Sequence, residues 1–251
     1  MYRMILSLII LTGFLMLPFY ATAFDLRDEE LLLYFSFDDV KGNAVEDHSP
    51  HGNDGEIVGA ADIVEGKVGD ALKFSENAEV KAPHIPLNDK SFTVTLWAKP
   101  MLAGGDQQCV FSQTQVNAGN TSLHYRIYNN GTVRMGFYGN DLDAAAAVKA
   151  DEWAHICFWC DAASNTRRIY INGEQKAQDQ GKSLYKGTAG DTMVGSWGAT
   201  GQKFNGVLDE VMVWDRALSE KDIEFSMNPG AAAVDADGKL TTTWANVKKY
   251  K

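Results

Sequence analysis

The chain has 251 residues, with 33 acidic side chains against 23 basic ones and a formal charge of −10. That balance excludes nucleic acid and anionic membrane surfaces as natural partners, since both are met by basic faces, and it is compatible with divalent cations. The length suits one all-β domain with an adequate core.

Residues Met1 to Ala23 read MYRMILSLIILTGFLMLPFYATA: a basic Arg3, an apolar run from Met4 to Tyr20, and Ala21-Thr22-Ala23 as a small-x-small cleavage site. This is the layout of a secretory signal peptide, and Pro18 argues against a retained membrane anchor. Cleavage after Ala23 leaves 228 residues and, by removing Arg3, takes the formal charge to −11. The expected location is secreted, extracellular or periplasmic, with no membrane insertion after cleavage. Residues 24–226 are expected to form one domain, and 227–251 a C-terminal linker and tail.

From Leu31 onward, short β-rich runs alternate with Gly, Asn and Asp clusters, and no helical stripe of ordinary length precedes residue 215. Strands are expected at Leu31 to Ser36, Ala71 to Phe74, Phe92 to Lys99, Cys109 to Ser112, Leu123 to Tyr128 and Val133 to Tyr138. Further strands are expected at Trp153 to Cys160, Arg168 to Ile171, Met193 to Val194 and Val207 to Trp214. Asn129-Asn130-Gly131 and Asn172-Gly173 suit the positive φ of tight hairpin turns. So many short antiparallel strands imply two packed sheets.

Cys109, Cys157 and Cys160 are an odd set, too few for a disulfide framework. Cys157 and Cys160 lie three apart in the apolar strand HICFWC, so they face opposite sides and do not form a zinc or redox pair. Buried free thiols, or a bridge from Cys109 to one of them, are the two readings.

The closing strand, FNGVLDEVMVWDRALSE from Phe204, carries the most information. Strict alternation puts Val207, Asp209, Val211 and Val213 on one face and Leu208, Glu210, Met212 and Trp214 on the other. Asp209 then sits among valines, where a carboxylate must ligate a metal, bond to backbone amides or be turned aside by a bulge. Leu218 to Phe225 reads as a short helical turn capped by Ser219, with Asp222 three residues on. Beyond it, PGAAAVDADGKLTTTWANVKKYK is a small, polar linker before a short TTTW run; its DADG fails as a calcium loop because the first and last ligand positions fall on Ala233 and Trp244.

Four segments in order carry a family resemblance: LYFSFDD…VEDHSPHGNDGEIVG; GDALKF with FTVTLWAKP; WAHICFWCDAASNTRRIYINGE; and FNGVLDEVMVWDRALS. Together they resemble the laminin G-like, concanavalin A-like family of secreted lectin and adhesion modules, over most of residues 31 to 226. The resemblance implies an all-β fold, a two-sheet antiparallel jelly-roll sandwich. It also implies a structural calcium ion tying the start of the jelly roll to the closing strand, with Asp38 or Asp47, Asp209 and backbone oxygens such as that of Gly69 as ligands. Asp47 reads equally as a turn cap in a Gly/Asn-rich loop. Cys157 and Cys160 stand where the family has ordinary strand residues, so no disulfide is carried over.

Laminarinase-type hydrolases and some polysaccharide lyases share this sandwich, and a retaining glycosidase needs two carboxyl groups roughly 5 Å apart. The sequence reads as lacking such a pair: Asp209 and Glu210 alternate to opposite faces, Asp141 and Asp143 fall in a loop, and Asp235 and Asp237 lie in the tail. His155 reads as a packed strand residue. For binding, rings beside polar groups are the useful feature. Trp197, flanked by glycines in GSWGATGQ, is the expected exposed platform, with Arg126 and Tyr128 on one strand face with His124, and Asn140 and Asp141 from a neighbouring loop. Trp97, Trp153, Trp159 and Trp214 read as core. The expected function is a non-catalytic module for carbohydrate or an extracellular protein; a hydrolase or lyase, or a purely adhesive scaffold, are the alternatives.

Overall fold

A computed structural model describes residues 25–75, 77–103, 106–114, 116–198 and 201–229. The segment expected to be a signal peptide and the DADG and TTTW runs lie outside the described residues.

Two antiparallel sheets face each other. The first has the order β14 (Glu174–Gln180), β13 (Thr166–Ile171), β12 (Ala154–Asp161), β7 (Phe92–Pro100), β16 (Gly206–Trp214), β5 (Asp70–Phe74) and β4 (Ala61–Glu65), with β1 (Leu31–Phe35) also paired to β16. The second has the order β11 (Asp141–Ala144), β10 (Val133–Gly136), β9 (Ser122–Tyr128), β8 (Gln107–Thr114), β15 (Thr192–Val194), β6 (Glu79–Ala82), β3 (Gly55–Val58) and β2 (Ala44–Val45). Every strand expected from sequence is present. Alternation delivers Leu123, Tyr125 and Ile127 of β9, and Val133 and Met135 of β10, to the core against Leu96, Ile156, Phe158, Val211 and Val213. Tyr125 stacks on Phe158 across the two sheets, with centroids 4.1 Å apart.

The outer face of the first sheet is also apolar, and it is covered. Tyr34, Cys157, Tyr170, Met212 and Trp214 pack under Leu218 and Ile223 of the closing segment. That segment contains α1 (Glu220–Ser226), whose cap is a reciprocal box between Ser219 and Asp222. The Nε1–H of Trp97 donates to the Met227 carbonyl at 3.0 Å and that of Trp159 to the Leu218 carbonyl at 2.9 Å. These two indoles hold both ends of the closing segment, at Leu218 and Met227, against the first sheet. Trp97 and Trp214 are buried, whereas Trp153 and Trp159 are half-buried.

Cys157 joins the outer cluster and Cys160 the core, on opposite faces of β12 as alternation requires. All three cysteines are free and buried, so the Cys109 bridge is not formed. Burial pushes the thiols of Cys109 and Cys160 up to about 12 and that of Cys157 higher still.

The closing strand departs from simple alternation. Its register on β7 shifts between Asp209 and Met212, and Glu210 adopts φ +51. This β-bulge places Leu208, Val211 and Val213 in the core and turns Met212 and Trp214 outward. The bulge also marks a change of neighbour: Gly206 to Leu208 pair with β5, while Val211 to Trp214 pair with β1. Tyr34 of β1 donates its hydroxyl to Glu210 Oε2 at 2.6 Å in a buried contact. Burial first, and then the Glu210 charge, hold the Tyr34 phenol well above its ordinary range, so it stays a donor. Tyr34→Phe is expected to lower unfolding stability by about 1–3 kcal/mol, because Glu210 loses a buried donor. Urea denaturation with an unchanged m-value is the check, and a difference under about 0.5 kcal/mol would refute this role.

Candidate functional site

Two clusters gather the residues singled out in the sequence. The first lies at the bulge. Asp209 Oδ2 accepts the amides of Lys67 and Val68 at 2.8 and 2.9 Å, in the loop that leads into β5. Asp38, from the turn after β1, accepts the Asp70 amide at 2.8 Å and adds its charge to the field at Asp209. Asp209 Oδ1 is buried and has no hydrogen-bond partner among the described residues. Gly69 carries φ +68, and its carbonyl accepts the Gly66 amide at 2.8 Å, leaving a second lone pair.

Asp47 has a different task. Its Oδ1 accepts the amides of Tyr34 and Ser49, and its Oδ2 accepts the Ser49 hydroxyl and the Asn53 amide. These four bonds fill its lone pairs, which makes it the organiser of the first loop and leaves nothing for a cation.

Burial drives the Asp209 carboxyl up to about 7; the amides of Val68 and Lys67 pull it down, and Asp38 adds to the rise. Folding thus favours the protonated acid, which in the unfolded chain ionises near 3.8. In protein stripped of divalent cations, this group's contribution is full below about pH 4 and is lost as pH rises to about 7. Asp209→Asn, permanently neutral, is expected to melt higher than the parent at pH 8 and to lack that decline. A parallel pair of Tm–pH curves for parent and variant would show that the carboxyl is not destabilised by burial.

The second cluster occupies the outer face of the second sheet. With Leu123, Tyr125 and Ile127 inward, β9 presents His124, Arg126 and Tyr128 outward; β10 presents Arg134 and Gly136, and β11 presents Asp141 and Asp143. Register aligns His124, Gly136 and Asp141 in one row and Arg126, Arg134 and Asp143 in the next. Gly136 is needed here because a Cβ would collide with both His124 Nε2 and Asp141 Oδ1, which stand 3.7 Å apart. The His124 Nδ1–H donates to the Ser122 carbonyl at 2.9 Å. Burial, then the charges of Arg126 and Arg134, lower its pKa to about 3, so the imidazole is neutral. Arg134 grips both oxygens of Asp143 at 2.7 Å and lies 3.2 Å from Asp141.

Trp197 belongs to this face but not as an exposed ring. Its indole is 5% exposed, stacked on His124 at 4.4 Å and 8°, with the Arg126 guanidinium 4.3 Å from the ring centroid. Its Nε1–H donates to the Ser122 hydroxyl at 3.2 Å. The expected free platform is thus a packed wedge, and Arg126, 6% exposed and bonded to Gln107, is its support. Asn140 is structural as well: its amide reaches Asn120 and the Ser183 carbonyl, and its carbonyl accepts from Arg167. Tyr128 is half-buried under the Arg134 guanidinium, 5.0 Å away. Asp141 remains at the surface.

Two expectations about acids need correction. The bulge turns Asp209 and Glu210 to the same outer side, where both are buried, at 0% and 1% exposure. Asp141 and Asp143 are not in a loop; they lie two apart on β11, facing outward together. The strand was missed because DLDA has no apolar run. His155 is buried against Trp97, and Ser226 Oγ lies 3.2 Å from its Nε2. Ser226 is fully buried, so the pair offers no accessible nucleophile. Among the described residues, no group of three or more His, Cys, Asp or Glu side chains is placed to hold a metal.

The family model of the concanavalin A-like lectin/glucanases superfamily matches residues 74–224. No curated protein matches the chain. Among solved structures, the binding domain of Paraclostridial Mosquitocidal Protein 1 superposes with a TM-score of 0.64 at 17% identity, over 82% of this chain and 53% of that one. Domain 4 of AbnA, an extracellular GH43 arabinanase from Geobacillus stearothermophilus solved with arabinotriose, gives 0.62 at 20% identity, over 79% and 98%. The binding domain of botulinum neurotoxin DC in complex with rat synaptotagmin II gives 0.61 at 16% identity, over 80% and 52%. The chain spans about half the length of the toxin domains it matches. At these identities the likeness is one of fold.

Proposed function

The chain belongs to the concanavalin A-like lectin/glucanases superfamily, and on that premise we propose that it is an exported, non-catalytic module that binds carbohydrate on the outer face of its second sheet. The observation that carries this reading is the contrast between the two outer faces. The first is sealed by α1, whereas the second gathers aromatic and polar side chains with surface still open at Tyr128, Arg134, Tyr138, Asp141 and Asp143. Arg126 and Arg134 balance Asp141 and Asp143, so the face suits a neutral, hydroxyl-rich ligand better than a polyanion. The arabinanase domain solved with arabinotriose supports carbohydrate; the toxin domain solved with synaptotagmin makes an extracellular protein the other candidate.

Affinity electrophoresis in gels containing arabinan, xylan, mannan or β-glucan tests this. Retardation by one of them, weakened at least tenfold by Asp141→Ala with the fold intact, is expected. Passage through all four unretarded would refute carbohydrate binding.

One observation favours hydrolysis as a second reading: Asp141 and Asp143 share a strand face at the spacing a retaining glycosidase uses. Against it, Arg134 engages both as ion-pair partners. Reducing-sugar release from the same polysaccharides, abolished by Asp143→Asn, would decide for the enzyme.

A structural calcium fits the bulge. Asp209 and Asp38 would hold it with backbone carbonyls such as that of Gly69, and the unpaired Asp209 Oδ1 is the atom that supports the assignment. Bound there, the cation supplies countercharge to two adjacent carboxylates and ties β16 to the loops beside β1 and β5. EDTA is expected to lower the Tm of the parent protein and leave that of Asp209→Asn unchanged. Equal melting of the parent with calcium and with EDTA would eliminate the site.

A further inference from the structure

We infer that Tyr138 is the side chain on which the sugar ring docks, held in place by a backbone conformation that tyrosine disfavours. The inference rests on the carbohydrate-binding reading above and names its contact residue. On the second sheet's outer face, most aromatic surface is already used within the protein: Trp197 is wedged between His124 and Arg126, and Tyr128 lies under Arg134.

Tyr138 differs. It is 39% exposed and meets His124 and Trp197 at steep angles of 64° and 62°, with centroids 6.4 and 6.3 Å away, so it stacks on neither. Its hydroxyl has no hydrogen-bond partner among the described residues. An aromatic side chain set on edge beside a polar row, with Asp141 three residues on and Arg134 next to it, is the arrangement that takes the C–H face of a sugar while its hydroxyls bond to the row.

The backbone gives independent support. Tyr138 and Gly139 are the two central residues of the link 137–140 between β10 and β11, closed by the Phe137 amide on the Asn140 carbonyl at 3.0 Å. Both residues have positive φ, +65 and +69. A link of this kind takes Asn, Asp or Gly at its first central position, because a larger L side chain crowds its own carbonyl there. Asparagine would fold this hairpin more easily. Inside the protein the tyrosine gains two edge-on ring contacts, with His124 and Trp197, which offset part of the strain and leave the ring partly exposed, so a ligand outside accounts for the rest of its value.

Tyr138→Asn is therefore expected to raise Tm by about 2–4 °C through relief of the turn, while weakening retention in the polysaccharide gel that retards the parent by at least tenfold. Tyr138→Phe keeps the ring and is expected to keep retention within about threefold. Retention of Tyr138→Asn within about twofold of the parent would overturn the inference alone. A fall in Tm accompanying the loss of retention would overturn it too, by making Tyr138 a structural residue. A parent protein that no gel retards would remove the carbohydrate reading itself, and this inference with it.

Discussion

The fold turns on one splice. The closing strand has β7 along one side for its whole length, but on its other side it must serve two partners in succession, β5 and then β1. The bulge at Asp209–Glu210 sits at the changeover, and each acid secures one partner: Asp209 takes the amides of the loop entering β5, and Glu210 takes the Tyr34 hydroxyl from β1. A carboxylate here is expensive to bury and worthwhile only because it accepts from chain segments more than a hundred residues away. Without the splice, the opening strand has no partner in the first sheet.

The splice also determines which face is free. By shifting the alternation, it turns Met212 and Trp214 outward to join Tyr34, Cys157 and Tyr170, creating a second apolar surface that α1 and Leu218 must cover. The other sheet has less need of a cover, since its inward residues are apolar and β9, β10 and β11 turn mostly polar side chains outward. That face is instead organised laterally. Gly136 lets His124 approach Asp141, Trp197 separates His124 from Arg126, and Arg126, which faces Arg134 across the strand pair, is stabilised by the indole and Gln107 in place of a carboxylate.

Much of the framework was legible in the sequence because it rests on local signals. Apolar runs marked the central strands, Asn130-Gly131 and Asn172-Gly173 marked hairpins, and Ser219 with Asp222 marked the cap. Six strands were missed. Of these, β2, β4, β11 and β14 read AV, ADIVE, DLDA and EQKAQDQ and form sheet edges, where polar side chains are favoured and the strand exists only through its neighbour. The interior β3 and β6 are four-residue runs, GEIV and EVKA, too short to stand out. The site was less legible for a related reason. Glycines around Trp197 signal a loop, but not that the ring folds back between His124 and Arg126. Alternation assigned Asp209 and Glu210 to opposite sides because nothing in the residue types announces a glutamate at positive φ. Tyr138 read as the end of a strand, since only the pairing of β10 with β11 makes it a turn residue.

The three cysteines have a consequence for where such a domain is able to mature. Each thiol is enclosed, on a separate side of the structure or in a separate strand, and none finds another. With ionisation suppressed by burial, they are poor nucleophiles and poor targets for oxidants. Cohesion comes from packing and from the spliced strand, not from covalent cross-links. The folded domain accordingly depends on no disulfide, and it needs no oxidase to reach its fold.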